Sequence, residues 1–328
     1  MRGHREKIIF PSGHSFRVLR WSRNLREVEA VLASGQAERV AGEGTHWHYH
    51  RHMELTLFTT GEGLRFVGDH IASFGPGDLV LLGGKVPHYW HTQRPSAGIS
   101  VQWDFPHGHP FWAFPENLSL ATLFKSATRG LRYTGATADQ LAAGLQALVR
   151  ADGPDRLGWL LRLLAIMARA PERDRTVLSA RAFFLSEKGA YQPAMAEAVR
   201  YLLANFRDTI RLEEILRLTH MSKPTFSRQF KKHSGQSFSN FINHLRLQAV
   251  CHELAATERT ILDIAFACGF SQVSFFNRLF RRVMGCNPTQ YRQRKRKQIG
   301  PSAKADKTAT LPKPSARPAG GGSGPLTT

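Results

Sequence analysis

Two sets of residues have types and spacings that could do chemistry. Phe226, Arg228, Phe230 and Gly235 recur fifty positions later as Phe276, Arg278, Phe280 and Gly285, while Lys231-Lys232 recurs as Arg281-Arg282 and Phe241 as Tyr291. A self-match at a fixed offset marks a repeated supersecondary unit, in which apolar members are shared core and polar members shared surface. The two arginines therefore occupy equivalent exposed faces, and a guanidinium can make paired hydrogen bonds to guanine O6 and N7. The second set is His46, His48, His50, His52 and Glu54. Their spacing of two puts all five on one face of any extended strand, where they would line a polar pocket.

The elements that must position the arginines read as helix, sharp turn and second helix, twice. In the first unit Leu212, Ile215, Leu216 and Thr219 give one apolar face, Met221-Ser222 breaks it with Ser222 as N-cap, and Pro224 sits in the first turn of the next helix. Phe226 and Phe230 then point inward and leave Lys223, Ser227 and Arg228 outward. In the second unit Ile261, Ile264 and Ala265 face inward and Gly269 permits a left-handed turn. Phe276 and Phe280 anchor its next helix, leaving Gln272, Ser274, Asn277 and Arg278 as the reading face. A helix from about Phe238 to Ala255 joins the units. Lys231, Lys232, Arg281 and Arg282 are phosphate contacts, which position a protein on DNA without specifying sequence. An isolated arginine would more often be a solvated helix-face cation; two in one repeated frame favour contact with bases or phosphates.

With these residues in view, the segment resembles the paired helix-turn-helix domain of the AraC/XylS family of bacterial transcription regulators. The resemblance is carried by Ile264-Ala265, Gly269-Phe270, Ser274, Phe276, Arg278, Phe280, Gly285, Pro288 and Tyr291-Arg292. It implies two recognition helices entering successive major grooves of double-stranded DNA. Leu216 stands where the family prefers a small residue, and His220 where it often has glycine. A bulky helix contact, and a β-carbon at a turn that needs positive φ, make Arg278 the stronger reader of the two. Asn287 replaces the usual Ser or Thr before Pro288 and caps a helix equally well.

Charge agrees with a polyanionic partner. Of the formal net charge of +20, residues 196–300 contribute +11, from 18 Lys/Arg against 7 Asp/Glu. A polyanion is bound by such a domain through counterion release, so binding should weaken steeply with salt. Cys251, Cys268 and Cys286 are too few for a disulfide framework or a zinc site and read as reduced core thiols. Met1 to Phe10 has no signal-peptide character and no stretch reaches eighteen apolar residues, so a cytoplasmic protein without a membrane span is expected.

Upstream, from about Ile8 to Phe105, short apolar runs are broken by glycine: Glu54–Phe58, Gly63–Gly68 and Asp78–Leu82. Such spacing predicts antiparallel strands in a sandwich or barrel. The period then changes to helical, with Leu141, Leu145, Leu148 and Val149 on one helix and Leu157, Leu160, Leu161 and Leu164 on another. The strand region resembles a cupin barrel through Gly42, His48, His50, Glu54 and Gly61, and partly through Gly77, Pro87 and His88; Gly83, Gly84 and Lys85 depart from the second motif. In metal-binding cupins the positions of His48, His50, Glu54 and His88 hold a divalent ion, and three imidazoles with a carboxylate suit iron, manganese, zinc, copper or nickel. A divalent transition metal, a metal-free effector pocket and a structural histidine cluster are the three readings; no cofactor is required by the first-ranked one, the effector pocket. Trp47, Tyr49, Trp90 and Trp103 could stack on an effector, although aromatics in barrels are usually core.

The expected organisation is thus an all-β cupin-like barrel (1–135), a helical segment (136–170) that pairs with a second protomer or packs on its own barrel, a linker (171–195), an all-α double helix-turn-helix (196–297) and a disordered basic tail (298–328). The expected function is a sequence-specific transcription regulator of the AraC/XylS type, with double-stranded DNA, a small effector, RNA polymerase and a second copy of the chain as partners. The alternative is a cupin-type metalloenzyme with a DNA-binding appendage.

Overall fold

The computed structural model describes residues 15–299 apart from 33, 42, 43, 45, 93, 184 and 186–189, together with residues 8 and 10. Gly42, Gly189, most of Met1 to Phe10 and the tail from 300 onward lie outside the described residues.

The apolar runs broken by glycine become strands: β1 Phe16–Trp21, β2 Glu27–Val31, β3 Ala37–Ala41, β4 Met53–Thr60, β5 Gly63–Val67, β6 His70–Phe74, β7 Asp78–Leu82, β8 His88–Thr92 and β9 Ala97–Trp103. Every residue of β5 and β7 is buried, as a short continuous apolar run predicts for a strand covered on both sides. Two short strands, β10 Leu131–Tyr133 and β11 Arg175–Val177, complete an eight-stranded sheet in the order β11-β10-β7-β4-β9-β1-β2-β3, and β6-β5-β8 form a three-stranded sheet. Among the described residues the strands do not close into the expected barrel. The strands form two facing antiparallel sheets, with β3 and β11 as the edges of one and β6 and β8 as the edges of the other.

Between the sheets lies a core that includes Trp21, Phe58, Phe74, Val80 and Trp90. The outer face of the large sheet is covered by two helices that follow α1 Ala121–Ala127, namely α2 Gly135–Arg150 and α3 Gly153–Arg169. Leu141, Leu145 and Leu148 of α2 and Leu160, Leu163, Leu164 and Met167 of α3 pack there with Trp103 and Tyr133. The α3 register differs from the expected one: Leu157 and Leu161 are 45% and 37% exposed, because the face centred on Leu160, Leu164 and Met167 meets the sheet. Segment 171–195 is more than a connection, since Arg175–Val177 pairs antiparallel with β10 and α4 already begins at Gln192.

The C-terminal helices are α4 Gln192–Asn205, α5 Leu212–Thr219, α6 Lys223–Ser234, α7 Phe238–Ala256, α8 Ile261–Ala267, α9 Val273–Met284 and α10 Pro288–Ile299. Helix α7 joins the α5–α6 unit to the α8–α9 unit. Its Arg246 donates from Nε to the Phe206 carbonyl (2.7 Å) and from Nη2 to the Asp208 carbonyl (2.9 Å), satisfying the frayed end of α4. Asn287 caps α10 by accepting from the Gln290 N–H (2.8 Å) while the Gln290 side chain accepts from the Asn287 N–H (3.1 Å), a reciprocal capping box. Among the described residues no helix is long and apolar enough to cross a membrane.

The first unit does not stand apart from the sheets. Leu64, Phe66 and Ile71 on the outer face of the small sheet share one buried cluster with Val199, Ile215, Phe226, Phe230 and Phe241. The second unit builds its own core from Leu247, Ile264, Phe270, Phe276, Phe280 and their neighbours, all C-terminal to the β region.

Candidate nucleic-acid interface and histidine cavity

Both helix-turn-helix turns use the same backbone device. His220 adopts φ 54° and ψ 39° after α5, and Gly269 adopts φ +90° after α8. The next amide in each case reaches back to the same place: Met221 N–H donates to the Leu216 carbonyl (3.1 Å) and Phe270 N–H to the Ala265 carbonyl (3.1 Å). The turn at His220 thus does require the left-handed region, in a residue whose β-carbon disfavours it. Leu216 is accommodated half-buried against the first unit's core, where its counterpart Ala265 is fully buried in the second.

The anchors Phe226, Phe230, Phe276 and Phe280 are all buried, which turns the remaining residues of α6 and α9 outward. Lys223, Ser227, Arg228, Lys231 and Lys232 are exposed on the first unit; Gln272, Ser274, Asn277, Arg278, Arg281 and Arg282 are exposed on the second. On α9 the side chains of Ser274, Asn277, Arg278, Arg281 and Arg282 border one shallow depression, so their donors converge. The Arg278 guanidinium lies 5.9 Å from the Phe275 ring centroid. An exposed fork beside amide and hydroxyl groups is suited to base edges and phosphates in a major groove.

The second site is a narrow cavity between the sheets, about 40 Å³ in volume. Trp21, Phe58 and Trp90 give it an aromatic wall, and His48, Glu54, Thr56, His88, Ser100 and Gln102 a polar end. Each imidazole of the trio is oriented by a backbone carbonyl: Nδ1 of His48 meets His46 O at 2.7 Å, Nδ1 of His50 meets His52 O at 3.1 Å, and Nδ1 of His88 meets Val86 O at 2.8 Å. A carbonyl only accepts, so all three Nδ1 atoms carry hydrogen and each Nε2 is left to face the centre. Ligand nitrogens of His48, His50 and His88 all fall within 4.8 Å of one another. Nε2 of His88 has no hydrogen-bond partner and lies 3.8 Å from Glu54 Oε2.

Glu54 accepts from Gln102 Nε2 (2.8 Å) and the Thr56 hydroxyl, and its Oε2 lies 3.0 Å from His50 Nε2, which donates to it only in the doubly protonated ring. Burial would raise its carboxyl, but the His50 side chain, the nearby His88 imidazole and the Thr56 hydroxyl outweigh burial and hold it well below the usual carboxylate range. Burial first, and the neighbouring His48 next, push His88 down to about 3, so it is a neutral lone-pair donor at neutral pH.

Of the predicted site residues, the structure brings His48, His50, Glu54 and His88 together, whereas His52 carries its ring toward Phe10 (centroids 5.0 Å apart). Trp90 lines the cavity, Trp103 is fully buried core, and Trp47 and Tyr49 face the helices instead. Thr56, Ser100 and Gln102 were missed. The alternation in β4 that placed Glu54 inward also places Thr56 inward, so that signal was present for one of the three.

Comparison with known proteins agrees with this geometry. Residues 215–294 match the family described as "Helix-turn-helix domain". Regulatory protein PocR of Salmonella typhimurium is 35% identical over 99 residues, covering 30% of this chain and 33% of PocR. The HTH-type transcriptional activator RhaS of an Enterobacter species is 32% identical over 97 residues, covering 30% of this chain and 35% of RhaS. The chain thus spans about a third of the length of these curated relatives. A solved structure of a probable AraC family transcriptional regulator from Rhodopseudomonas palustris is 31% identical and covers 31% of this chain and 96% of that one, with a TM-score of 0.30. The C-terminal region is a double helix-turn-helix. Its sequence is similar to the corresponding part of PocR and RhaS.

Proposed function

We propose that the protein is a sequence-specific, DNA-binding transcription regulator of the cytoplasm, in which a small effector bound between the N-terminal sheets biases the posture of the C-terminal units. The observation that carries this reading is the pair of matched recognition helices, each presenting an arginine and flanking basic residues outward from a buried pair of phenylalanines. Substituting Arg278 by Ala should cost about 1–3 kcal/mol of specific binding and relax preference at one base. Unchanged selection from a library of DNA sites would defeat it. RNA polymerase belongs to this reading as a partner, as does a second copy of the chain, which exposed Leu157 and Leu161 on α3 support.

The cupin-like character of the sheets and their metal belong here too. His48, His50 and His88 would hold a divalent transition ion with Glu54 beside it, and the tautomers imposed by three backbone carbonyls support that donor set. Such an ion would supply Lewis-acid attraction for an oxygen or nitrogen of the effector. Elemental analysis of purified protein, wild type against His50→Ala, decides it: one equivalent in the wild type, lost in the variant, is expected. A metal-free preparation that still binds DNA specifically would remove both the ion and the metalloenzyme alternative.

A further inference from the structure

We infer that residues 46–50 transmit the state of the cavity to the first helix-turn-helix unit alone, leaving the second as an independent DNA anchor; this rests on the reading of the cavity as the effector site. The segment has two faces. His48 lines the cavity and His50 joins it in the cluster with His88, while Trp47 and Tyr49, 2% and 3% exposed, turn the other way. Both aromatic rings close on His233, in the last turn of α6, at centroid distances of 6.2 and 6.1 Å. His233 is itself fixed, its Nδ1 donating to the Gln229 carbonyl at 2.8 Å. One short stretch of backbone therefore carries both the cavity ligands and the grip on the helix that bears Arg228.

The backbone of this stretch meets its neighbours through an isolated bridge. His48 and His88 exchange backbone hydrogen bonds (3.1 and 2.8 Å) and Lys85 N–H donates to the His50 carbonyl (2.6 Å), an isolated bridge in place of a ladder. A ligand that reorients His48 or His50 works against these bonds directly, and the Tyr49 carbonyl between them accepts from Gln192 Nε2 of α4 at 3.4 Å. The end of α6 is also tied to the β region by Arg181, whose Nη2 donates to the Lys231 and Lys232 carbonyls at 2.7 and 3.3 Å. Gln236 Nε2 donates to the Asp69 carbonyl at 3.4 Å. Close-packed contacts of this kind switch between discrete arrangements and do not deform smoothly. Among the described residues the second unit's buried core contains no residue of the β region.

The test is amide hydrogen exchange on the full-length protein, wild type against His48→Ala and His50→Ala. Exchange in α6 should rise by about tenfold, the size of a typical coupling between sites, while α9 changes less than about twofold. Equal changes in α6 and α9, or none in either, would overturn the inference. If the histidine variants fail to fold, Trp47→Phe supplies the reverse direction, since coupling is reciprocal. The imidazole NMR resonances of His48 and His88 should then shift while those of exposed His252 stay put, and unmoved cavity resonances would count against the inference. Because exchange involves no DNA, a wild type that binds no DNA site specifically would defeat the regulator reading and leave the exchange pattern standing.

Discussion

The two helix-turn-helix units share a frame and differ in their neighbours. Helices α6 and α9 are each 12 residues long and each ends on a left-handed glycine, Gly235 at φ 82° and Gly285 at φ 67°. Yet the first unit is wedged against the small sheet through Phe66, Phe226, Phe230 and Phe241, whereas the second presents α8 and α9 on a separate core. Phe66 and Phe241 stack at 6.0 Å between ring centroids across the junction. The lesson is that the repeat determines what each unit can bind, and its surroundings determine what can govern it.

The turns offer the sharpest way to break the comparison. A β-carbon at Gly269 would lie 2.7 Å from Arg246 Nε and 2.8 Å from the carbonyl oxygens of Phe206 and Arg207, in a residue already at φ +90°. Gly269→Ala should cost about 3 kcal/mol or more in chemical denaturation, combining backbone strain with a clash against main chain. Next in size is the contrast between the arginines. Arg278→Ala should weaken specific DNA binding by about 1–3 kcal/mol and Arg228→Ala by less, measured by titration against one operator. A larger loss at Arg228 would make the first unit the dominant reader and reverse the ranking.

The equivalent turn in the first unit predicts the opposite sign. His220→Gly removes a β-carbon from the left-handed region and should stabilise the protein by about 1 kcal/mol. A neutral or destabilising result would show that the His220 side chain contributes something its exposed position conceals.

Acid should produce the smallest and most graded effect, and three histidines at the junction of the first unit with the sheets contribute to it. Burial, followed by the charge of Arg65, lowers His70 of β6 to about 4, with Asp69 and Asp78 opposing and Arg132 reinforcing. Burial likewise lowers His233, with the Gln229 carbonyl opposing and Lys232 reinforcing, and lowers His244, with Asp69 opposing and Arg282 reinforcing. For a histidine depressed in the folded state the unfolded chain binds more protons at mildly acid pH, so stability is intact above about 6.5 and falls as pH drops toward 4. Partial solvation of these rings moderates the size of the loss. Protease nicking between 178 and 183 should increase over that range before α9 loses its protection; simultaneous loss would deny the units their difference.

Much of this molecule was legible in its sequence. The fifty-residue offset located both recognition helices, because packing demands phenylalanine at the same two places in each, and everything between them on the outer face follows from helical geometry. Glu54, His48 and His50 were legible as one face through their spacing, and His88 only through a family motif, since it arrives from another sheet edge. The partner of Trp47 and Tyr49 was not legible. Alternation says that they face away from the histidines, but His233 lies far along the chain and nothing local in either segment names the other. The α3 register was misjudged for a related reason: Leu157 and Leu161 continue an apolar stripe, and only the sheet's position selects Leu160, Leu163, Leu164 and Met167 in preference.

Helix α7 has a consequence of its own. At 19 residues it is a rod of about 28 Å between the two readers, and a rod carries rotational phase as well as length. One inserted residue would swing everything beyond it by about 100°, turning the second reader off the side of the duplex the first one faces. Seven inserted residues would nearly restore that heading while pushing the readers about 10 Å further apart, so the chain would ask for a longer gap in the DNA and otherwise bind as before. The spacing of the operator is, in this sense, written in the length of one helix.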